Sequence, residues 1–118
     1  MLPDIQHIDD IKKVVDYQYN KLLKDPDTQP KFAHLHIEEH LPTIYTFWAF
    51  IVLGGEHSYK GNAFQKHQPL GLQEIHFTKW MGFLHEAIYT HYTGSNADKM
   101  WNQARMFETI FKSKLNIT

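Results

Sequence analysis

Apolar positions recur every three or four residues over four stretches of the chain, each bounded by residues that start or stop helices. Ile8, Ile11, Val15, Tyr19 and Leu22 share one helical face, so a helix is predicted from about Ile8 to Lys24. Asp9 and Asp10 suit its positive end. Asp25-Pro26 closes it, because the residue before proline avoids helical geometry. Leu41, Ile44, Tyr45, Trp48, Ile51 and Val52 set a second helix from about Glu38 to Leu53, stopped by Gly54-Gly55. Phe77, Trp80, Leu84, Ala87 and Ile88 set a third from about Gln73 to Tyr92, ended by Thr93-Gly94. A fourth opens at Ser95-Asn96-Ala97-Asp98, which resembles a capping box with Asp in the reciprocal place. Its stripe is Trp101, Ala104, Phe107 or Glu108, Phe111 and Leu115. Alternating runs bounded by turns are missing, so the pattern predicts an all-α fold.

Two connections, residues 25–37 and 54–72, are long for a helical bundle and hold most of the prolines and glycines. Long loops in a small domain are often functional. The second one carries His67 and opens the run of greatest interest, which continues into the third helix: Tyr59-Lys60-Gly61, Phe64, His67, Pro69-Leu70, His76-Phe77 and Trp80. At its centre His67 is flanked by large apolar and aromatic groups. Imidazole is a good ligand for transition metals and for haem iron, and a buried structural histidine has the same surroundings.

Composition narrows the choices. A chain of 118 residues is enough for one domain, taken as residues 1–118, with one modest core. Aromatics make up 14%, which favours a core of large flat side chains. A net charge of −1 argues against a nucleic-acid binder, which would carry a basic excess. The nine histidines make that charge rise steeply on acidification. With no cysteine there is no disulfide framework, thiolate metal site or catalytic thiol. Met1-Leu2-Pro3-Asp4 lacks the blocks of a signal peptide. The longest apolar run, Phe47 to Leu53, is far below the ~20 residues of a membrane span. A cytoplasmic protein without a membrane partner is expected.

Other candidate residues divide between structural and chemical readings. Tyr19 lies on the apolar stripe of the first helix. A buried phenol wants a partner, which is either a backbone carbonyl or a ligand in a pocket. Trp80 is on the inner face of the third helix, and its indole N–H must also go somewhere. Trp48 and Trp101 read as core anchors. His40 sits at the edge of the second helix's stripe and reads as a boundary or surface residue. His36 and His40 are four apart, but no further ligand stands at zinc-site spacing. No nucleophile elbow, phosphate loop or dinucleotide fingerprint is present.

Taken in order, these blocks resemble the truncated haemoglobins, and within them group III. The resemblance runs from Ile11 to about Ile110. It rests on Val15-Asp16-Tyr17-Gln18-Tyr19, on Pro30-Lys31-Phe32, and on His40-Leu41 with Phe47-Trp48 downstream. It continues with Tyr59-Lys60-Gly61, His67-Gln68-Pro69-Leu70 and His76-Phe77-Thr78-Lys79-Trp80. Three departures stand out. Ile37-Glu38-Glu39 replaces a Trp-bearing segment, Gln18 replaces an aromatic before the tyrosine, and Ala63 replaces a proline.

The resemblance implies a two-over-two helical sandwich around haem b, iron protoporphyrin IX. His67 would bind the iron from the proximal side. Phe64, Leu70, Phe77 and Trp48 would pack on the porphyrin, and Phe32 would wedge against its distal edge. Tyr19 and Trp80 would donate to a bound diatomic ligand such as O2, NO or CO. His40 would donate to it as well or gate its access, and Lys60 or Lys66 would pair with the propionates. The expected function is binding of oxygen and related diatomics. The alternative is an enzyme for nitric oxide dioxygenation or peroxide reduction, fed by a separate electron-donor protein.

Overall fold

In the computed structural model, residues 1–32, 37–54 and 72–114 are described, and they contain five helices and no strand. These are α1 (Ile8–Leu22), α2 (Gln29–Phe32), α3 (Ile37–Val52), α4 (Glu74–His91) and α5 (Ser95–Lys114). The architecture is the two-over-two sandwich: α1 packs on both α3 and α4, and α5 packs on both α4 and α3.

The four predicted helices are present, with ends displaced by one or two residues. α1 stops at Leu22: the Leu23 N–H makes the last regular bond, to the Tyr19 carbonyl at 2.9 Å, and the Lys24 and Asp25 N–H groups both turn back to the Lys21 carbonyl, at 3.1 and 3.0 Å. Its buried face, Ile11, Val14, Val15, Gln18, Tyr19 and Leu22, is wider than the predicted stripe because it meets two helices rather than one. α3 ends at Val52, one residue before the predicted Leu53. Gly54 adopts φ +63, and its N–H reaches back to the Ala49 and Phe50 carbonyls. α4 begins at Glu74, with the Gln73 N–H held at 2.8 Å by Nδ1 of His76.

α5 corrects the predicted capping box. The N–H groups of Asn96 and Ala97 bond to the carboxylate of Asp4, at 3.0 and 2.9 Å, while Asp98 accepts from the Tyr89 hydroxyl at 2.6 Å. The N-terminal segment therefore supplies the cap from 92 residues away. Gly94 makes this approach possible. Its φ is +136, and a Cβ there would stand 2.5 Å from Cγ of Asp4.

α2 falls inside the first predicted connection. Asp25 shapes the turn before it, its side chain accepting from the Asp27 N–H at 2.9 Å and its carbonyl from Gln29. Thr28, fully buried, donates its hydroxyl to the Leu22 carbonyl at 2.7 Å. The short helix then delivers Phe32 into the core, 5% exposed. Among the described residues no helix is long and apolar enough to cross a membrane.

Candidate functional site

All five helices meet at one open-sided cleft of about 840 Å³, its solvent mouth included. α1 contributes Tyr19 and α2 contributes Phe32. Thr43, Ile44, Phe47 and Trp48 come from α3, Leu72 from the segment before α4, and His76, Phe77 and Trp80 from α4 itself. Phe107, Glu108 and Phe111 of α5 close the remaining side. The helical period explains the set: Phe77 and Trp80 are three apart, Ile44 and Trp48 four, Phe107 and Phe111 four, so each group shares one face.

The walls are mostly rings. Trp48 and Trp80 stack at 6.5 Å between centroids with an interplanar angle of 24°. Tyr19 meets Phe32 edge-on at 5.9 Å. Phe107 stands edge-on to Trp48 at 6.1 Å and stacks on Phe111 at 6.1 Å.

A few polar groups face this apolar space. Nε1 of Trp80 is buried and has no hydrogen-bond partner among the described residues. A buried donor left unpaired costs about 1–3 kcal/mol, so this N–H is open to an acceptor that the described residues do not fully supply. Burial raises the pKa of the Tyr19 phenol, and the nearby Trp80 indole opposes the rise. The indole N–H acts on the phenol oxygen as a hydrogen-bond donor would, but the contact falls short of a full hydrogen bond, so Nε1 keeps its capacity to donate. His76 has a fixed tautomer. Its Nδ1 accepts from an obligate backbone donor, Gln73 N–H, so the neutral ring carries its proton on Nε2, toward the Asp27 backbone. Burial, and then the charge of Lys31, lowers its pKa, so it is neutral at pH 7.

Behind the wall the polar contacts are structural. Lys79 bonds to Asp25 at 3.0 Å and lies 3.6 Å from Asp27, which fastens α4 to the turn before α2. Gln18, fully buried, donates its Nε2 to the Trp80 carbonyl at 3.1 Å, while its Oε1 has no partner.

The structure brings together Tyr19, Phe32, Trp48, Phe77 and Trp80 of the predicted set. His40 is exposed near the start of α3 and does not line the cleft. His67, Phe64, Leu70, Lys60, Lys66 and His36 lie outside the described residues. Thr43, Leu72 and the site role of His76 were missed. Phe47 appeared only as a motif residue, and Ile44, Phe107, Glu108 and Phe111 as stripe residues. Their helical spacing was the available signal.

Two layers of helices about a ring-lined cleft are the arrangement expected of a globin. The profile of the family described as bacterial-like globin matches residues 5–113, and the chain belongs to that family. Among solved structures the chain is similar to the group III truncated hemoglobin from Campylobacter jejuni. The TM-score is 0.86 at 26% identity, covering 98% of this chain and 95% of that one. The chain is a truncated globin of group III. No curated protein matches it.

Membership of the globins implies haem. The residues present fit that group. The cleft is flat-walled and apolar enough for a porphyrin, and the unpartnered Trp80 N–H supplies the donor that a polar ligand at its centre would need.

Proposed function

We propose that this globin binds haem b and, on it, oxygen and related diatomic ligands. The absence of cysteine supports the b type, since covalent attachment through thioethers needs Cys-x-x-Cys-His. When bound, haem supplies an iron atom able to take a diatomic ligand. His67 is the proposed proximal ligand, on the strength of the Tyr59-Lys60-Gly61 and His67-to-Leu70 pattern. Trp48, Phe77 and Phe32 provide faces and an edge for the porphyrin, and Phe64 and Leu70 are assigned beside them by the same sequence pattern.

The observation that carries the reading is the buried, unpartnered Nε1 of Trp80 in the cleft wall shared with Tyr19. Both groups are protonated donors at neutral pH, Tyr19 because burial holds its phenol above the ordinary range. Donors fixed around a ligand that gains negative charge slow its release. Each neutral bond nets about 0.5–1.5 kcal/mol, so the two together slow release by one to two decades.

The test is an absorbance spectrum of purified protein. A strong Soret band that shifts on reduction and on adding carbon monoxide is expected, and its absence after haem reconstitution overturns the reading. His67→Gly should lose that spectrum and regain it with added imidazole. Tyr19→Phe combined with Trp80→Phe should speed oxygen release by about 10- to 100-fold. Two donors suit holding a ligand for reaction, which favours nitric oxide or peroxide chemistry as a second reading. Turnover with an added reducing system tests it, because electrons must come from a separate protein.

A further inference from the structure

We propose that Gln18 is a positioning residue for Trp80, and through it sets how the cleft's donors face a diatomic ligand; this rests on the function proposed above. Gln18 and Tyr19 are consecutive on α1, so their side chains leave the helix about 100° apart. Tyr19 enters the cleft, and Gln18 turns toward α4. Both meet the same residue. Gln18 holds the Trp80 main-chain carbonyl at 3.1 Å, and Tyr19 lines the cleft beside the Trp80 indole.

The chemistry of the amide fixes its orientation. Turning it over would set Oε1 against the Trp80 carbonyl oxygen, so Nε2 is the atom facing it. In a regular helix that carbonyl already accepts from the N–H four residues on. The bond from Gln18 is a second, lateral one, and it fixes the turn of α4 that carries the indole relative to α1.

Gln18 is a poor choice for packing alone. It is fully buried, Nε2 makes one bond, and Oε1 has no donor at all. An apolar side chain of equal length would avoid that uncompensated desolvation. The two buried side-chain atoms without partners among the described residues, Oε1 of Gln18 and Nε1 of Trp80, therefore belong to two residues joined by one hydrogen bond, from the Gln18 side chain to the Trp80 main chain. The pair places a half-satisfied amide behind the indole donor.

The experiment compares Gln18→Leu, Trp80→Phe and their combination with the unchanged haem-loaded protein. The readouts are the C–O stretching band of the carbon monoxide complex, the NMR resonance of the Trp80 indole N–H in that complex, and the thermal midpoint. Gln18→Leu should move the band to higher wavenumber and broaden it, displace the indole resonance, and speed oxygen release by about 2- to 12-fold. Its thermal midpoint should be unchanged or raised. In the combined variant the band should match Trp80→Phe alone. A band and indole resonance unmoved by Gln18→Leu, while Trp80→Phe moves the band, overturn the positioning role alone. Additive shifts in the combined variant overturn it too, because Gln18 then acts by a route other than Trp80. A band unmoved by Trp80→Phe overturns both this role and the donor reading beneath it. Gln18→Met, closer in shape, serves in place of Gln18→Leu if the leucine variant does not fold.

Discussion

The wall of the cleft built by α1 and α4 and the wall built by α3 and α5 are held by different forces. Directional bonds cross the first. Gln18 bonds to the Trp80 carbonyl, Tyr17 donates to Glu86 at 2.7 Å, and Tyr92 donates to Asp10 at 2.9 Å. Lys79 ties the same helix to Asp25. Across the second, rings meet rings: Phe47 on Phe107 at 5.4 Å, and Trp48 on Phe107 at 6.1 Å. Hydrogen bonds fix angles, whereas apolar contact fixes shape with little regard to direction. Tyr19 and Trp80, the donors proposed to point at a small ligand, stand on the bonded wall, and the flat surfaces stand on the ring wall.

The contrast can be broken most severely at Trp48. It is 2% exposed and touches both walls, stacking on Trp80 and meeting Phe107. Trp48→Ala should cost about 3–5 kcal/mol in urea unfolding. A loss below about 1 kcal/mol would mean that the ring wall is not continuous with the core. A smaller effect is expected at the turn that supports the bonded wall. Thr28→Val keeps the shape but removes the hydroxyl from the Leu22 carbonyl, and leaving that acceptor buried and unpaired should cost about 1–3 kcal/mol.

The smallest effect is that of a single proton on His76. Burial and the Lys31 charge hold its folded pKa below 6.5, so the unfolded chain takes up the proton first. The stability this confers is complete above the unfolded value of about 6.5 and is lost as pH falls through the folded value. His76→Gln should therefore flatten the fall in urea midpoint between about pH 7.5 and 5. A slope identical to that of the unchanged protein would show that His76 does not titrate differently on folding.

How much could be read from the chain follows the same division. Helices driven by apolar period were legible, as were Tyr19 and Trp80, because a phenol or indole on an apolar face must find a partner. The globin pattern was legible as a series of short blocks. Features created by tertiary bonds were not. α2 has only four residues, Gln29–Phe32, and exists because of the Asp25 turn and the buried Thr28 hydroxyl. The cap on α5 came from Asp4, whose distance along the chain hides it from any local rule, while the local candidate Asp98 is used by Tyr89. Gln18 is polar in sequence and reads as solvent-facing. Only the approach of α4 to a second side of α1 buries it.

The Asp4 cap has a consequence for the order of events in folding. The contacts of residues 3–5 with residues 93–97 include Thr93 N–H on the Pro3 carbonyl at 2.9 Å and the Asn96 side chain on the Ile5 carbonyl at 2.7 Å. They close a loop of about ninety residues, whose entropic cost must be met before the contacts return anything. Along a growing polypeptide, the carboxylate of Asp4 cannot meet the Asn96 and Ala97 N–H groups until the start of α5 has been made.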